Sequence, residues 1–595
     1  MPVSVAGKKA GARPADIHSP FTGCRNPAFV LCLQVQERPI GVRDLSVIEE
    51  AAAWVAGLSY EDIPPRVLDA ARCQILSSMG AVYAGAGSNA GRAIVDTVNS
   101  WGQQGPCAAY PSGDGRTFHS AIFQNSTLSM ALDYDDYLFL AHTGHSAVFV
   151  PMATAEMEGA ETSDMLVAQV AANEVAGRFG CSLVFGPHNG QMLAHVHLIG
   201  SAAAASRVLG LDAGQTADAM GIALAEPVYS LFPAFMGAES KALTAAFPAL
   251  TGMMAAFAAG RGMNGPRSIL EDPDGLWASF SFLPLPRSFS GFGRSWVTDT
   301  IAYKAYPGCA YIDTAVDALL DIMDRFYQER GRRIEPDEVK ELTVEAGLLT
   351  VAMDGMSGDY LDRSRILPVN VNFSVALSLA VTLLAGELTG AQFTGDFLDG
   401  NREKILGLAS RVSLLHDASL TVALLRSFDE ALDLRAAMHA QVTLKGLARA
   451  RRRIREHLAR VSTMGPREAY RAWKSLSPGD RAFMRRMISP RGLLTPREHD
   501  FGDIRFEELR MPFAARVRVA LNDGGVLDAE RLVPRGAPGD PERFDVAVEK
   551  FTRESSVFME PLASKKGVEV IMDLEARTLA EVREALCGTG GRGPR

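Results

Sequence analysis

The sequence predicts a mainly α-helical protein with a second, smaller α+β part. Three observations predict it. Alanine- and glycine-rich text with helical periodicity runs from about 45 to 300; beyond 300, short strand-like runs appear between helices; and 595 residues, 47% hydrophobic and 22% charged, suffice for a large core and at least two domains. The same composition excludes a chain disordered over most of its length.

Residues 1–44 lack periodicity and read as an N-terminal extension. Ser46, three residues before Glu49, forms a capping box ahead of Val47, Ile48, Ala51, Ala52, Val55 and Leu58, which share one helical face. Pro64 and Pro65 suit the first turn of a second helix running through Leu68, Ala71, Cys73, Ile75 and Leu76 toward Gly80. Asp212 with Gln215 repeats the capping pattern. The small side chains of Gly200 to Ala205 let helices approach closely. The apolar run 244–260 contains Pro248, Thr251 and Gly252, falls short of the roughly 20 apolar residues that span a bilayer, and reads as a buried helix. Beyond 300, 341–346, 411–415 and 514–521 read as strands; Val517, Val519 and Leu521 alternate with Arg516, Arg518 and Ala520. Asn522, Asp523, Gly524 and Gly525 then make a hairpin turn into 526–529. A last helix is expected at about 579–586.

Sixty basic against 69 acidic residues give a net charge of −9, too mild for global attraction to nucleic acid or anionic lipid. Inside this chain, 426–497 holds 17 Lys or Arg and 6 Asp or Glu. Without interleaved aromatics or a nucleic-acid module, Arg449, Arg451, Arg452, Arg453 and Arg455 read as a solvated helix face or a subunit contact. The seven cysteines are scattered and lack C-x-x-C spacing, and the N-terminus lacks a signal-peptide pattern. A cytoplasmic protein with no membrane or nucleic-acid partner is expected.

Several stretches, in order, resemble the MmgE/PrpD family, which contains 2-methylcitrate dehydratases, cis-aconitate decarboxylases and an iminodisuccinate epimerase. They are L-S-Y-E-D-I-P-P at 58–65, A-L-D-Y-D-D at 131–136, A-N-E-V-A-G-R at 172–178, G-S-A-A-A-A at 200–205 and S-K-A-L at 240–243. Further on come G-P-R-S-I-L-E at 265–271, Y-K-A-Y-P-G-C at 303–309, F-S-V-A-L-S-L-A at 373–380, V-R-V-A-L-N-D-G at 517–524 and the K-F pair at 550–551. The resemblance implies a large all-helical domain at 45–300, completed by 562–590, and a smaller α+β lid at 301–561 with the site in the cleft between them. It also implies a homodimer, a small polycarboxylate substrate, and no metal or organic cofactor. The basic segment 426–497 stands outside the family pattern and reads as an insertion into the lid.

Dehydration, decarboxylation and epimerisation of such acids all develop carbanion character beside a carboxylate. That calls for cations, hydrogen-bond donors and a tuned acid or base. Lys241 and Lys304 fall on the family's two active-site lysines and Asp133 on the first aspartate of its motif. Asp135 and Asp136 read as capping or salt-bridging a helix start. Counting back from Pro151 places Gly144 on a family histidine, so His145 is taken as catalytic and His142 as a substrate contact. Counting back from Gly200 puts Gln191 where the family has its other histidine; His188 is taken as the functional equivalent and Gln191 as a substrate contact. His195 and His197 lead into a helix and lack a third ligand for a metal.

Cys309 and Asp313 replace family histidines and Leu377 a common tyrosine, which points to altered specificity. Tyr306, Cys309 and Tyr311 are expected to contact substrate. The leading reading is a cofactor-independent lyase acting on a small hydroxy or unsaturated polycarboxylic acid. Its rivals are an isomerase or epimerase on the same scaffold and a binding protein whose acid–base set has decayed.

Overall fold

The computed structural model describes residues 45–139, 141–186, 194–442, 444–461, 465–487, 489 and 499–588. The expected extension at 1–44 lies outside them. The first helix, Val47–Gly57, starts at Ser46 with the full capping box, and Asp212 caps Ala213–Leu224 in the same way. Pro65–Ala86 begins at its proline as expected and is buried on all sides over most of its length. It packs against Phe118–Met130, Arg543–Ser555 and Thr162–Ser182, while His195–Val208, whose alanines at 202–205 are all buried, packs on Thr162–Ser182 and Ala246–Gly260. The segment Glu239–Gly260 is long and apolar enough to cross a membrane by length and composition, but 56% of its window is buried inside the protein.

Two hydrophobic cores follow from these elements. One is built from 48–296 together with residues of Arg543–Ser555, Pro561–Met572 and Leu579–Leu586; the other is dominated by 297–547. The helical region also carries a short antiparallel pair, β1 (Gln104–Ala109) with β2 (Asp114–Arg116). A second pair, β3 (Asp136–Leu138) with β4 (Ile301–Tyr303), is antiparallel with Asp136 opposite Tyr303. In the α+β region β5 (Val339–Ala346), β6 (Val412–His416), β7 (Ala515–Leu521) and β8 (Val526–Arg531) form a sheet of order β6-β5-β7-β8. Only β5 and β6 are parallel. Val517, Val519 and Leu521 point into the core beneath Asp313–Arg330, as their alternation requires.

The basic segment is helical in its described parts, among them Leu444–Val461, Pro466–Ser475 and Pro478–Met487. Val442 and Ala450 pack on Leu283 and Leu285. Arg453 donates to the carbonyls of Ala278, Ser279 and Ser281 and lies over the Phe282 ring. Arg451, Arg452 and Arg455 face solvent.

Candidate active site

The β3–β4 pair builds the site. Because Asp136 pairs with Tyr303, the residues just outside the ladder, Asp135 and Lys304, fall beside each other although they are 169 residues apart. Asp133 ends a helical turn in the left-handed region, at φ 53°, a conformation that aspartate tolerates better than most side chains. Lys241 arrives from the short turn Glu239–Thr244 that precedes Ala246–Gly260.

These segments bring six ionisable groups together, and Asp133, Asp135, Lys241, Lys304 and His145 are all buried. The Lys241 ammonium donates to Asp133 Oδ1 at 2.6 Å. The Lys304 ammonium donates to Asp135 Oδ1 at 2.8 Å and to the Asp133 carbonyl at 2.7 Å, and lies 3.7 Å from Asp133 Oδ1. On its other oxygen Asp135 accepts from His142 Nδ1 at 2.7 Å. His145 Nε2 stands 3.0 Å from that same oxygen, out of line for a hydrogen bond. Ser129 Oγ meets His145 Nδ1 at 2.7 Å. Lys241 is further held over the rings of Phe235 and Phe373, 5.7 and 5.3 Å from their centroids.

Burial works to raise both carboxyls, but the ammoniums outweigh it. Asp133 is held low by Lys241 and Lys304, and Asp135 well below the usual range by Lys304, His142 and His145. Burial likewise works against the Lys304 charge, and Asp133 and Asp135 overcome it and raise its pKa. Asp136 behaves oppositely: burial and the charge of Asp135 push its carboxyl up, and it accepts from Gln74 Nε2 at 2.8 Å. Neither Asp135 nor Asp136 caps a helix; of the two roles expected, Asp135 takes the salt-bridging one, with Lys304, His142 and His145. Asp135 is the hub of the cluster, and the closeness of the aspartates in the motif at 131–136 was the available signal.

Gly144 explains why the histidine position is displaced. A Cβ at 144 would strike Asp136 Oδ1 and Ser78 Oγ, so only glycine fits there and the neighbouring position carries the imidazole. His142 is 24% exposed at its side chain and His145 not at all. His188 and Gln191 lie outside the described residues. His197 donates to or accepts from Ser146 Oγ at 2.8 Å, and burial holds it neutral; His195 is pushed down to about 4 by burial and bonds the Val228 carbonyl.

The expected aromatic donors are already engaged. Tyr306 donates to Asp317 Oδ1 at 2.7 Å and Tyr311 to the Phe373 carbonyl at 3.0 Å. The Cys309 thiol feels the charges of Asp133, Lys304 and Lys241, but burial pushes it up to about 12, so it stays protonated at neutral pH. Its backbone N–H donates to the Asn372 carbonyl at 2.9 Å. The buried side-chain amide of Asn372 has no hydrogen-bond partner among the described residues and was not singled out in the sequence. Lys241 also lines a cavity of about 380 Å³ walled by Leu231, Phe235, Leu243 and Phe247. Among the described residues no three His, Cys, Asp or Glu side chains come together as a metal site.

The family model of the MmgE/PrpD N-terminal domain matches residues 49–284. A cis-aconitate decarboxylase of Aspergillus terreus is 26% identical over 390 residues, covering 62% of this chain and 78% of that protein. The cis-aconitate decarboxylase of Homo sapiens is 27% identical over 325 residues, 50% of this chain and 64% of its own. A cis-aconitate decarboxylase-like protein of Aspergillus oryzae is 24% identical over 398 residues, 63% and 80% of the two chains.

Proposed function

We propose that the chain, whose residues 49–284 match the MmgE/PrpD N-terminal domain, is a lyase of that family that decarboxylates or dehydrates a small polycarboxylic acid. The observation that carries the reading is the convergence of Lys241, Lys304 and His142 on the paired carboxylates of Asp133 and Asp135. Relatives acting on cis-aconitate support the substrate class.

Lys241 and Lys304 bind two substrate carboxylates. Each ammonium is fixed by an aspartate before substrate arrives, so little reorganisation is needed as charge develops. In a decarboxylation the bond from carbon to the departing carboxylate breaks and carbon dioxide leaves. The electron pair stays on carbon, spread over the adjacent double bond and a remaining carboxylate beside a lysine. A proton from His142 Nε2 then completes the product. Asp135 on Nδ1 orients that imidazole and leaves Nε2 as the reacting nitrogen. In a dehydration the same nitrogen removes the proton beside the carboxylate, the carbon–oxygen bond breaks as the double bond forms, and the imidazolium returns that proton to the departing hydroxide, which leaves as water. We assign the shuttle to His142 rather than to the expected His145, because His142 is the one with an exposed edge. The free amide of Asn372 is a further contact for substrate.

The test is turnover of cis-aconitate and of hydroxy polycarboxylates by purified protein, followed by carbon dioxide release and by absorbance of the double bond. Turnover abolished by Lys304→Ala supports the reading. Solvent deuterium entering a retained α-carbon, with neither carbon dioxide nor water lost, overturns it in favour of an isomerase.

A further inference from the structure

We propose that Lys550, with Arg553 one turn later on the same helix, is a positioning residue that holds the Asp133–Asp135 turn in the geometry the reaction uses. The proposal rests on the lyase reading above and adds a group that touches no substrate.

Lys550 lies on Arg543–Ser555, more than 400 residues from that turn, and is 1% exposed. Its position belongs to the buried stripe Val546, Ala547, Lys550, Phe551 and Glu554, where an aliphatic residue is the ordinary occupant. Among the described residues no carboxylate comes within ion-pairing distance of its ammonium. A buried cation without a partner is costly, and burial pushes the Lys550 pKa down to about 7. The fold even makes room for it: a Cβ on Gly80 of Pro65–Ala86 would lie 2.9 Å from Lys550 Cγ.

What the ammonium reaches explains its presence. It donates to Ser77 Oγ at 3.0 Å and to the carbonyl of Tyr134, the residue between the two aspartates of the site, and lies 4.1 Å from the Tyr134 ring centroid. Lys304 donates to the carbonyl just before, that of Asp133. Two successive carbonyls of the turn are thus each capped by a buried lysine. Asp133 needs such support, because its left-handed backbone is disfavoured for a residue with a side chain.

Arg553 completes the grip. It donates to the Tyr134 hydroxyl and, at 2.9 Å, to the carbonyl of Ala305, the residue after Lys304; the Tyr134 hydroxyl donates to the same carbonyl at 2.9 Å. One helix therefore fastens both the segment that supplies the aspartates and the segment that supplies the lysine. Releasing the turn would loosen Asp133 from Lys241, and Asp135 from Lys304 and His142.

The test compares Lys550→Met, which keeps the length and loses the donor, with Lys550→Gln, which is equally uncharged and can still donate to the Tyr134 carbonyl. Both are assayed well below their own Tm on a polycarboxylate that the wild-type protein turns over. Lys550→Met is expected to lower kcat by about 100-fold with KM changed less than about threefold, the signature of misplaced reacting groups. Lys550→Gln is expected to recover kcat to within about tenfold of wild type. Wild-type kcat and KM in Lys550→Met would overturn the proposal while leaving the lyase reading intact. If Lys550→Met does not fold, Arg553→Gln takes its place: a loss confined to kcat supports the proposal, and unchanged kcat overturns it. A wild-type protein that turns over no polycarboxylate ends the lyase reading and this proposal with it.

Discussion

His142 and His145 share one carboxylate, yet their surroundings fit them for different work. His142 presents Nδ1 to Asp135 and keeps an edge in solvent, whereas His145 is enclosed by Ser129, Asp135 and His197. His142→Gln is therefore expected to lower kcat by about 100-fold while leaving Tm within a degree or two, and His145→Gln to lower Tm with the smaller loss of kcat. Paired kinetics and melting curves check this, and a reversed pattern would reassign the shuttle. Away from the site, Glu156 accepts from the Ala108 N–H at 2.9 Å, and burial pushes its carboxyl up from 4.5 to about 7. The folded state then holds a proton that the unfolded state has released. The stability from this group is complete below pH 4.5 and is lost as pH rises through 7. Denaturation at pH 5 and pH 8 should show a smaller loss across that window in Glu156→Gln than in the wild-type protein.

Between elements, the motif at 172–178 acts as a latch. Glu174 and Arg178 form a fully buried pair one turn apart on Thr162–Ser182. Glu174 also accepts from the N–H groups of Val297 and Thr298 at 3.1 and 2.8 Å, and Arg178 donates to the carbonyls of Ser290 and Ser295. Glu174→Gln leaves the guanidinium buried without its counter-charge and should cost about 3–5 kcal/mol, read as a lower denaturant midpoint. Elements with a long period or an explicit cap were legible in the sequence: the Ser46 box, the Pro65 start and the turn after β7, which pairs Ala520 with Val526, all stand where the residues put them. The β3–β4 pair was not. Three residues per strand are too few to show a period, and their pairing is decided by tertiary packing across 165 residues of chain. Lys550 was quoted only as half of the K-F pair at 550–551, and no role for it was legible, since a lysine on a helix reads as solvated unless its place in the apolar stripe is counted.

On the scale of the whole molecule, the two cores meet where the charged cluster sits, so the site depends on contacts between distant segments rather than on any one motif. Asp133, Lys241 and Lys304 could be found because each stands in a recognisable stretch; that they meet could be stated only as a requirement of shared chemistry, and the ladder that makes them meet had no sequence signature. The outer surface carries a further consequence. Trp101, Tyr229, Leu231, Phe247 and Met254 are each 44–56% exposed. Tyr229, Leu231 and Phe247 wall one cavity, Met254 lies two turns from Phe247 on the same helix, and Trp101 reaches Phe247 through the Phe123 ring. Contiguous apolar surface of this kind is uncommon on a monomer. A second copy of the chain is its expected cover, in keeping with the homodimer that the family resemblance implies. Light scattering during size exclusion should therefore give a dimer for the wild-type protein. Phe247→Glu, which places a charge at the centre of the patch and leaves the cluster of Asp133 and Asp135 untouched, should shift it toward monomer at low micromolar concentration. A wild-type monomer, or a Phe247→Glu protein that remains fully dimeric, would show that this face is not the subunit interface.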